Sequence, residues 1–268
     1  MQEIVGYILA LLIGISLGLI GGGGSILTVP VLVYVMGVNP TLSTAYSLFI
    51  VGITALIGSV SYMQKKLISF KTALVFSAPS FISVFVVRKY LVPAIPAEII
   101  KIADFTLTKD IFLMLIFAIL MLFASVSMIK KKKGESQDES QEIQFNFPLI
   151  FIEGLVVGAI TGLVGAGGGF MIIPALVVFA KLPMKMAVGT SLLIIAAKSL
   201  IGFMGDVMNP NLNIDWTLLI IFSAIASVGI FVGSYLSNFI AGAKLKTGFG
   251  WFVVIMAIYI LAKELLFK

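Results

Sequence analysis

An all-α, polytopic integral membrane fold made of two internal repeats is what this chain predicts, on three observations. Hydrophobic residues make up 60% of the 268 residues and charged residues 11%, with a mean hydropathy of +1.17. A soluble domain carries roughly 25% charged residues, and no water-soluble core of this size hides so much apolar surface. Apolar runs of about 20 residues, the length that crosses a bilayer as a helix, recur along the whole chain. Finally, Gly18-Leu-Ile-Gly-Gly-Gly-Gly-Ser-Ile-Leu-Thr-Val-Pro30 returns as Gly162-Leu-Val-Gly-Ala-Gly-Gly-Gly-Phe-Met-Ile-Ile-Pro174.

Taken in order, the apolar segments fall at roughly 4–35, 41–63, 71–92, 108–129, 147–180, 186–208, 215–241 and 247–267, about four to each half. Met1-Gln2-Glu3 lacks the positive start of a signal peptide, so the first segment is expected to be retained as structure. The first and fifth segments are too long for a simple span, and they are the two that carry glycine clusters. Such a cluster breaks a membrane helix and bares backbone groups that lipid cannot satisfy. It is tolerated where the exposed backbone lines a cavity, and a duplicated pair of breaks is the pattern of a transporter. After the third segment, residues 93–110 form an insert that the second half lacks; Ile99, Ile100, Ile102, Ala103 and Phe105 suit a short surface helix or a plain loop. Between the fourth and fifth segments lies the one strongly polar stretch, Lys130 to Lys133 followed by Gly-Glu-Ser-Gln-Asp-Glu-Ser-Gln. The chain therefore divides into an N-terminal repeat (1–130), a polar cytoplasmic linker (131–146) and a C-terminal repeat (147–268).

A shift of 144 residues lays the second half on the first without a gap from residue 14 to 58. Gly14 meets Gly158, Leu32 meets Leu176, Ser47-Leu48 meets Ser191-Leu192 and Leu56-Ile57-Gly58 meets Leu200-Ile201-Gly202. After a gap of two, Ile68-Ser69-Phe70 meets Ile214-Asp215-Trp216. An ungapped register of that length marks an internal duplication.

Charge distinguishes two topologies. With eight crossings, the Lys and Arg outside the spans divide 9 to 8 between the two sides. With segments 1 and 5 as re-entrant hairpins, the repeats become inverted and the division becomes 11 to 6, the linker on the richer side. The positive-inside rule prefers the second arrangement, which puts both termini outside; eight crossings remain the alternative.

The chemistry-bearing residues are few. There is no cysteine and no histidine, which removes disulfides, thiolate chemistry and the commonest proton relay and metal ligand. An intramembrane enzyme would struggle to assemble a nucleophile and a base from what remains, and no cofactor is expected. The net charge of +6 is read as orienting lysines. Gly21, Gly22, Gly23, Gly24 and Ser25, and Gly165, Gly167, Gly168 and Gly169, are expected to turn sharply ahead of helices starting near Ile26 and Met171. Free N–H groups at such starts, with the positive end of the helix dipole, suit an anion. Close helix packing is the competing account for the four-residue stripes Gly14, Gly18, Gly22 and Gly154, Gly158, Gly162. Lys198, in the middle of the sixth segment, reads as an anion-attracting charge, or as a lysine that snorkels or pairs with Asp206. Ser47 and Ser191 are repeat mates, with Thr44, Tyr46 and Thr190 nearby. Their hydroxyls suit an oxyanion, or bond the preceding turn of their own helix. Glu153 and Asp206 sit near segment ends, where a solvated position is expected.

At these residues the chain resembles the sulfite exporter TauE/SafE family of membrane permeases. The motifs are Gly18-x-x-Gly21-x-Gly23-Gly24 with Pro30-x-Leu32, and Gly162-x-x-Gly165-x-Gly167-Gly168-Gly169 with Pro174-x-Leu176, followed by Gly189-Thr190-Ser191-Leu192. The first copy departs with Ala45-Tyr46-Ser47 where the second has Gly-Thr-Ser. The resemblance implies a bacterial-type inner-membrane transporter that moves sulfite, sulfonates or related small anions, mostly outward. The expected partners are a small anionic substrate and the lipid bilayer, with a homodimer compatible and nucleic acid not expected. No nucleotide-binding motif is present, so a gradient would supply the energy, and the residues name no coupling ion. A passive anion channel using the same helix ends is the alternative.

Overall fold

The computed structural model describes residues 2–102, 105–129, 147–178, 180–209, 212–237, 239 and 242–266. The polar linker at 131–146 lies outside the described residues. The described residues form ten helical segments: α1 (Gln2–Ile20), α2 (Gly24–Val35), α3 (Pro40–Gln64), α4 (Phe70–Ala94), α5 (Lys109–Ile129), α6 (Phe147–Val164), α7 (Gly169–Val178), α8 (Met184–Val207), α9 (Trp216–Leu236) and α10 (Gly242–Leu266). Among the described residues, α1, α3, α4, α5, α8 and α9 are long and apolar enough to cross a membrane. Their outward faces carry Leu74, Ile82, Phe123 and Val228, each more than half exposed, as a lipid-facing surface requires.

The first long segment does not run straight. A Cβ built on Gly24 would meet Ser16, and one on Gly6 would strike the Met36 side chain at 2.7 Å. The chain after the glycines therefore runs back beside α1, towards the level at which it began. In the fifth segment a Cβ on Gly168 would meet Thr161, so α7 likewise leaves its break beside the end of α6. The regular α-helix also restarts later than expected in the first copy, since Gly22–Leu27 is wound as a tighter 3₁₀ turn.

Helix starts follow the capping chemistry of the sequence. Asn39 Oδ1 accepts from Leu42 N at 3.3 Å with Pro40 at the first helical position, which fixes the entry to α3. Ser69 caps α4 through Thr72 N, and its repeat mate Asp215 caps α9 through Leu218 N at 3.0 Å.

Packing pairs the halves crosswise. α1 lies on α9 and α6 lies on α4, while α3 packs on α8 and α5 on α10. Small residues set the distance. Cβ atoms at Gly14 and Gly18 would strike the backbone of Ala226 and Ile230, and those at Gly158 and Gly162 would strike Ser80 and Val87. Close packing is thus the role of these stripe positions. The larger apolar core gathers Leu17, Leu32, Leu48, Ile50, Phe76, Leu192, Ile195, Phe222 and Ile230. A second cluster joins Ile26 and Val29 to Phe117, Met121 and Ile260.

Three local expectations are corrected. The insert is neither a surface helix nor a plain loop but a short antiparallel pair, β1 (Glu98–Ile102) with β2 (Phe105–Thr108). Asp206 is buried rather than solvated, at 5% exposure, and it pairs with Arg88 rather than with Lys198. Arg88 is itself 1% exposed.

Candidate functional site

The two glycine breaks meet. Gly22 stands so close to Gly169 that a Cβ on either would overlap the other's Cα. Ser25 Oγ lies 2.7 Å from Gly22 O and 2.5 Å from Ala166 O, so its one proton faces a carbonyl in each break. The turns are built alike: repeat mates Gly21 and Gly165 take φ of +73° and +74°, in the left-handed region open to glycine. Gly167 and Gly168 follow at +64° and +65°. Gly23 lies within the 3₁₀ turn Gly22–Leu27.

Each break rests on the serine helix of one repeat. On α3, Thr44 touches Gly165 and Val51 touches Gly167. Ser47 stands between them at helical spacing (i, i+3, i+7), so it belongs to the same stripe. Its Oγ is fully buried and has no hydrogen-bond partner among the described residues. On α8 the mates repeat the pattern, with Val188 against Gly21 and Ile195 against Gly22. There, however, Ser191 Oγ donates to Val188 O at 2.8 Å, the preceding turn of its own helix. Thr190 Oγ1 accepts from Ser69 N at 2.9 Å and ties the α3–α4 turn to α8. The structure therefore leaves the Ser47 hydroxyl uncommitted beside the breaks, commits the Ser25 proton to the break carbonyls, and engages Ser191 and Thr190 elsewhere.

Lys198 joins from the same α8 stripe, one turn beyond Ile195. Its side chain is fully buried, and Nζ donates to Thr161 Oγ1 at 2.9 Å. Nζ also lies 2.7 Å from where a Cβ on Gly168 would stand, which only glycine leaves open. No carboxylate lies within ion-pair distance of it among the described residues. The amides of Ala166, Gly167 and Gly168 likewise find no acceptor there, whereas Gly165 N bonds Thr161 O at 2.8 Å. The buried ammonium beside Gly168, the adjacent amides of the break and the partnerless Ser47 hydroxyl on the facing helix are donors of the kind that suit an oxyanion.

Thr161 is the residue that sequence reasoning missed. Its repeat mate is Leu17, and the mate of Lys198 is Thr54, whose Oγ1 is buried without a partner. Two departures from the repeat, Leu-to-Thr on α6 and Thr-to-Lys on α8, coincide at one contact. That coincidence was the available signal.

A family model described as Sulfite exporter TauE/SafE matches residues 7–264. A Probable membrane transporter protein of Xylella fastidiosa (strain Temecula1) is 28% identical over 254 residues, covering 93% of this chain and 91% of its own. Probable membrane transporter protein YunE of Bacillus subtilis is 28% identical over 242 residues, covering 82% and 84%. YjnA of the same organism, also named a probable membrane transporter protein, is 27% identical over 234 residues, covering 86% and 88%. No solved structure matches this chain.

Proposed function

The chain belongs to the sulfite exporter TauE/SafE family of multi-pass membrane proteins, and we propose that it is a secondary transporter that exports a small anion. Sulfite or an organosulfonate is the substrate class this reading names, and the cytoplasmic membrane is the location. The observation that carries it is Lys198. An uncompensated buried cation is costly in a membrane interior and faces a pathway or a partner. Here the neighbours are unpaired donors, so the missing partner is an anion.

Under this reading the substrate lies against Gly167, Gly168 and Lys198 Nζ, with Ser47 and Ser25 at the edge of the site. The meeting of the two breaks supports hairpins that enter from opposite faces, in inverted repeats with the linker inside. Alternating access then follows from rocking one crosswise-paired unit, α1 with α9, against the other, α6 with α4. Complete burial of Lys198 supports a carrier over a channel, because an open pore would wet the charge.

Proteoliposome flux tests the proposal. Labelled sulfite, sulfoacetate and a carboxylate control are followed with and without proton or sodium gradients. Saturable flux with trans-stimulation, lost in Lys198→Met, is expected. Ohmic conductance, or sulfite flux unchanged in that variant, refutes it.

A further inference from the structure

We propose that Arg88 is a second anion-binding station and that Asp206 is the internal carboxylate which an arriving oxyanion displaces from it. This rests on the reading above that a small oxyanion passes through the protein.

The geometry of the Arg88–Asp206 pair is the starting point. Arg88 Nη1 donates to Thr44 Oγ1 at 2.9 Å and lies 3.5 Å from Asp206 Oδ2. Both contacts fall on a single nitrogen. Nε and Nη2, which carry the other three N–H groups, are buried and have no partner among the described residues. The Asp206 contact is an ion pair without a hydrogen bond, for Oδ2 is also unpartnered. A guanidinium kept for stability turns its planar fork to the carboxylate and bonds it twice. Here the Nε–Nη2 edge, which matches two oxygens of a sulfite or sulfonate group, is left without a hydrogen-bond partner among the described residues.

The surroundings fit displacement. The pair is formed from α4 and α8, with Thr44 of α3 beneath it and Lys109, at the start of α5, within electrostatic reach of Asp206. A carboxylate released from Arg88 therefore keeps a cation nearby. Gly205 makes room for the arginine, since a Cβ there would lie 3.0 Å from Arg88 Cβ. The station is also on the way from the first site. Thr44 is the residue whose backbone touches Gly165, and Asp206 follows Lys198 by eight residues on α8, roughly 12 Å along the helix. The repeat mate of Arg88 is Ser234, so this charge, like Lys198, departs from the duplication.

The test measures equilibrium binding of labelled sulfite to purified protein in detergent. Lys198→Gln serves as the background that removes the first site. In that background the station is expected to retain weaker, saturable binding. Adding Asp206→Asn removes the competitor and should tighten binding about tenfold, or about 1.4 kcal/mol. Adding Arg88→Gln together with Asp206→Asn, which removes both charges and leaves none uncompensated, should abolish binding. Should Asp206→Asn not fold, the comparison of Lys198→Gln with the charge-neutral triple variant still decides the matter. Equal binding by those two proteins, or no binding by Lys198→Gln, overturns the station. A first site placed wrongly shows itself separately, as wild-type affinity in Lys198→Gln that is insensitive to the Asp206 change.

Discussion

Replacing Lys198 by Met separates a charge kept for a ligand from one kept for the fold. The structure gives Nζ one hydrogen bond, to Thr161 Oγ1, and no carboxylate within ion-pair distance among the described residues. Losing that bond costs about 1 kcal/mol. Against it stands the penalty of a fully buried ammonium, still several kcal/mol per ion after relaxation, with a gain of about 1–4 kcal/mol where apolar residues replace buried charges. Methionine nearly fills the volume, so no cavity term opposes the exchange. The ligand-free variant is therefore expected to be more stable than the parent, by roughly 2–10 °C in Tm for a chain of this size. The anion reverses the order. At about 100 times Kd a ligand adds about 2.7 kcal/mol to the parent and nothing to a variant that cannot bind it. Thermal unfolding in detergent, followed by the fluorescence of Trp216 and Trp251 with and without sulfite, reads both effects. A variant that melts below the parent and keeps the full sulfite-induced rise would refute the reasoning.

The contact between the breaks makes a steric prediction. Gly22→Ala drives a methyl group into Gly169 and within reach of Ile195 Cδ1, so it should cost about 1–3 kcal/mol and suppress flux; parental Tm and flux together would show that the breaks do not need this closeness. Because the chain has no cysteine, topology can be read with single cysteines and a membrane-impermeant maleimide. Glu3→Cys should label from outside the cell and Ser136→Cys from the cytoplasm only, whereas labelling from one common face would support eight crossings.

The segment order, the breaks and the packing stripes were legible in the sequence, because each is a local pattern of residue type and spacing. The Gly14–Gly18 stripe is read correctly as packing since small residues every four positions have one dominant use in a membrane. What could not be read are partners brought together by folding. Arg88, beside Lys89 and Tyr90 near a segment end, has the neighbourhood of a surface charge until α8 is laid across it. Thr161 is one hydroxyl in an apolar run, and its meaning depends on a lysine 37 positions later reaching over Gly168. The hydroxyls of Ser47 and Ser191 are identical in pattern, yet the second bonds its own preceding turn and the first does not. The insert failed as a helix because its β-branched and aromatic residues pair as two antiparallel strands, Glu98–Ile102 with Phe105–Thr108.

The crosswise pairing of α1 with α9 and of α6 with α4 also sets an order of assembly. When α1 enters the bilayer, the helix that will seat Gly14 and Gly18 is some 200 residues from being synthesised, so α1 must wait in lipid with its glycine face uncovered. Long-range contacts of this kind are slow to form and leave a lengthy interval of exposure to insertion and quality-control machinery. Neither half made by itself carries the helix on which its own first segment packs. Two half-length chains produced together, by contrast, carry every surface needed to find each other.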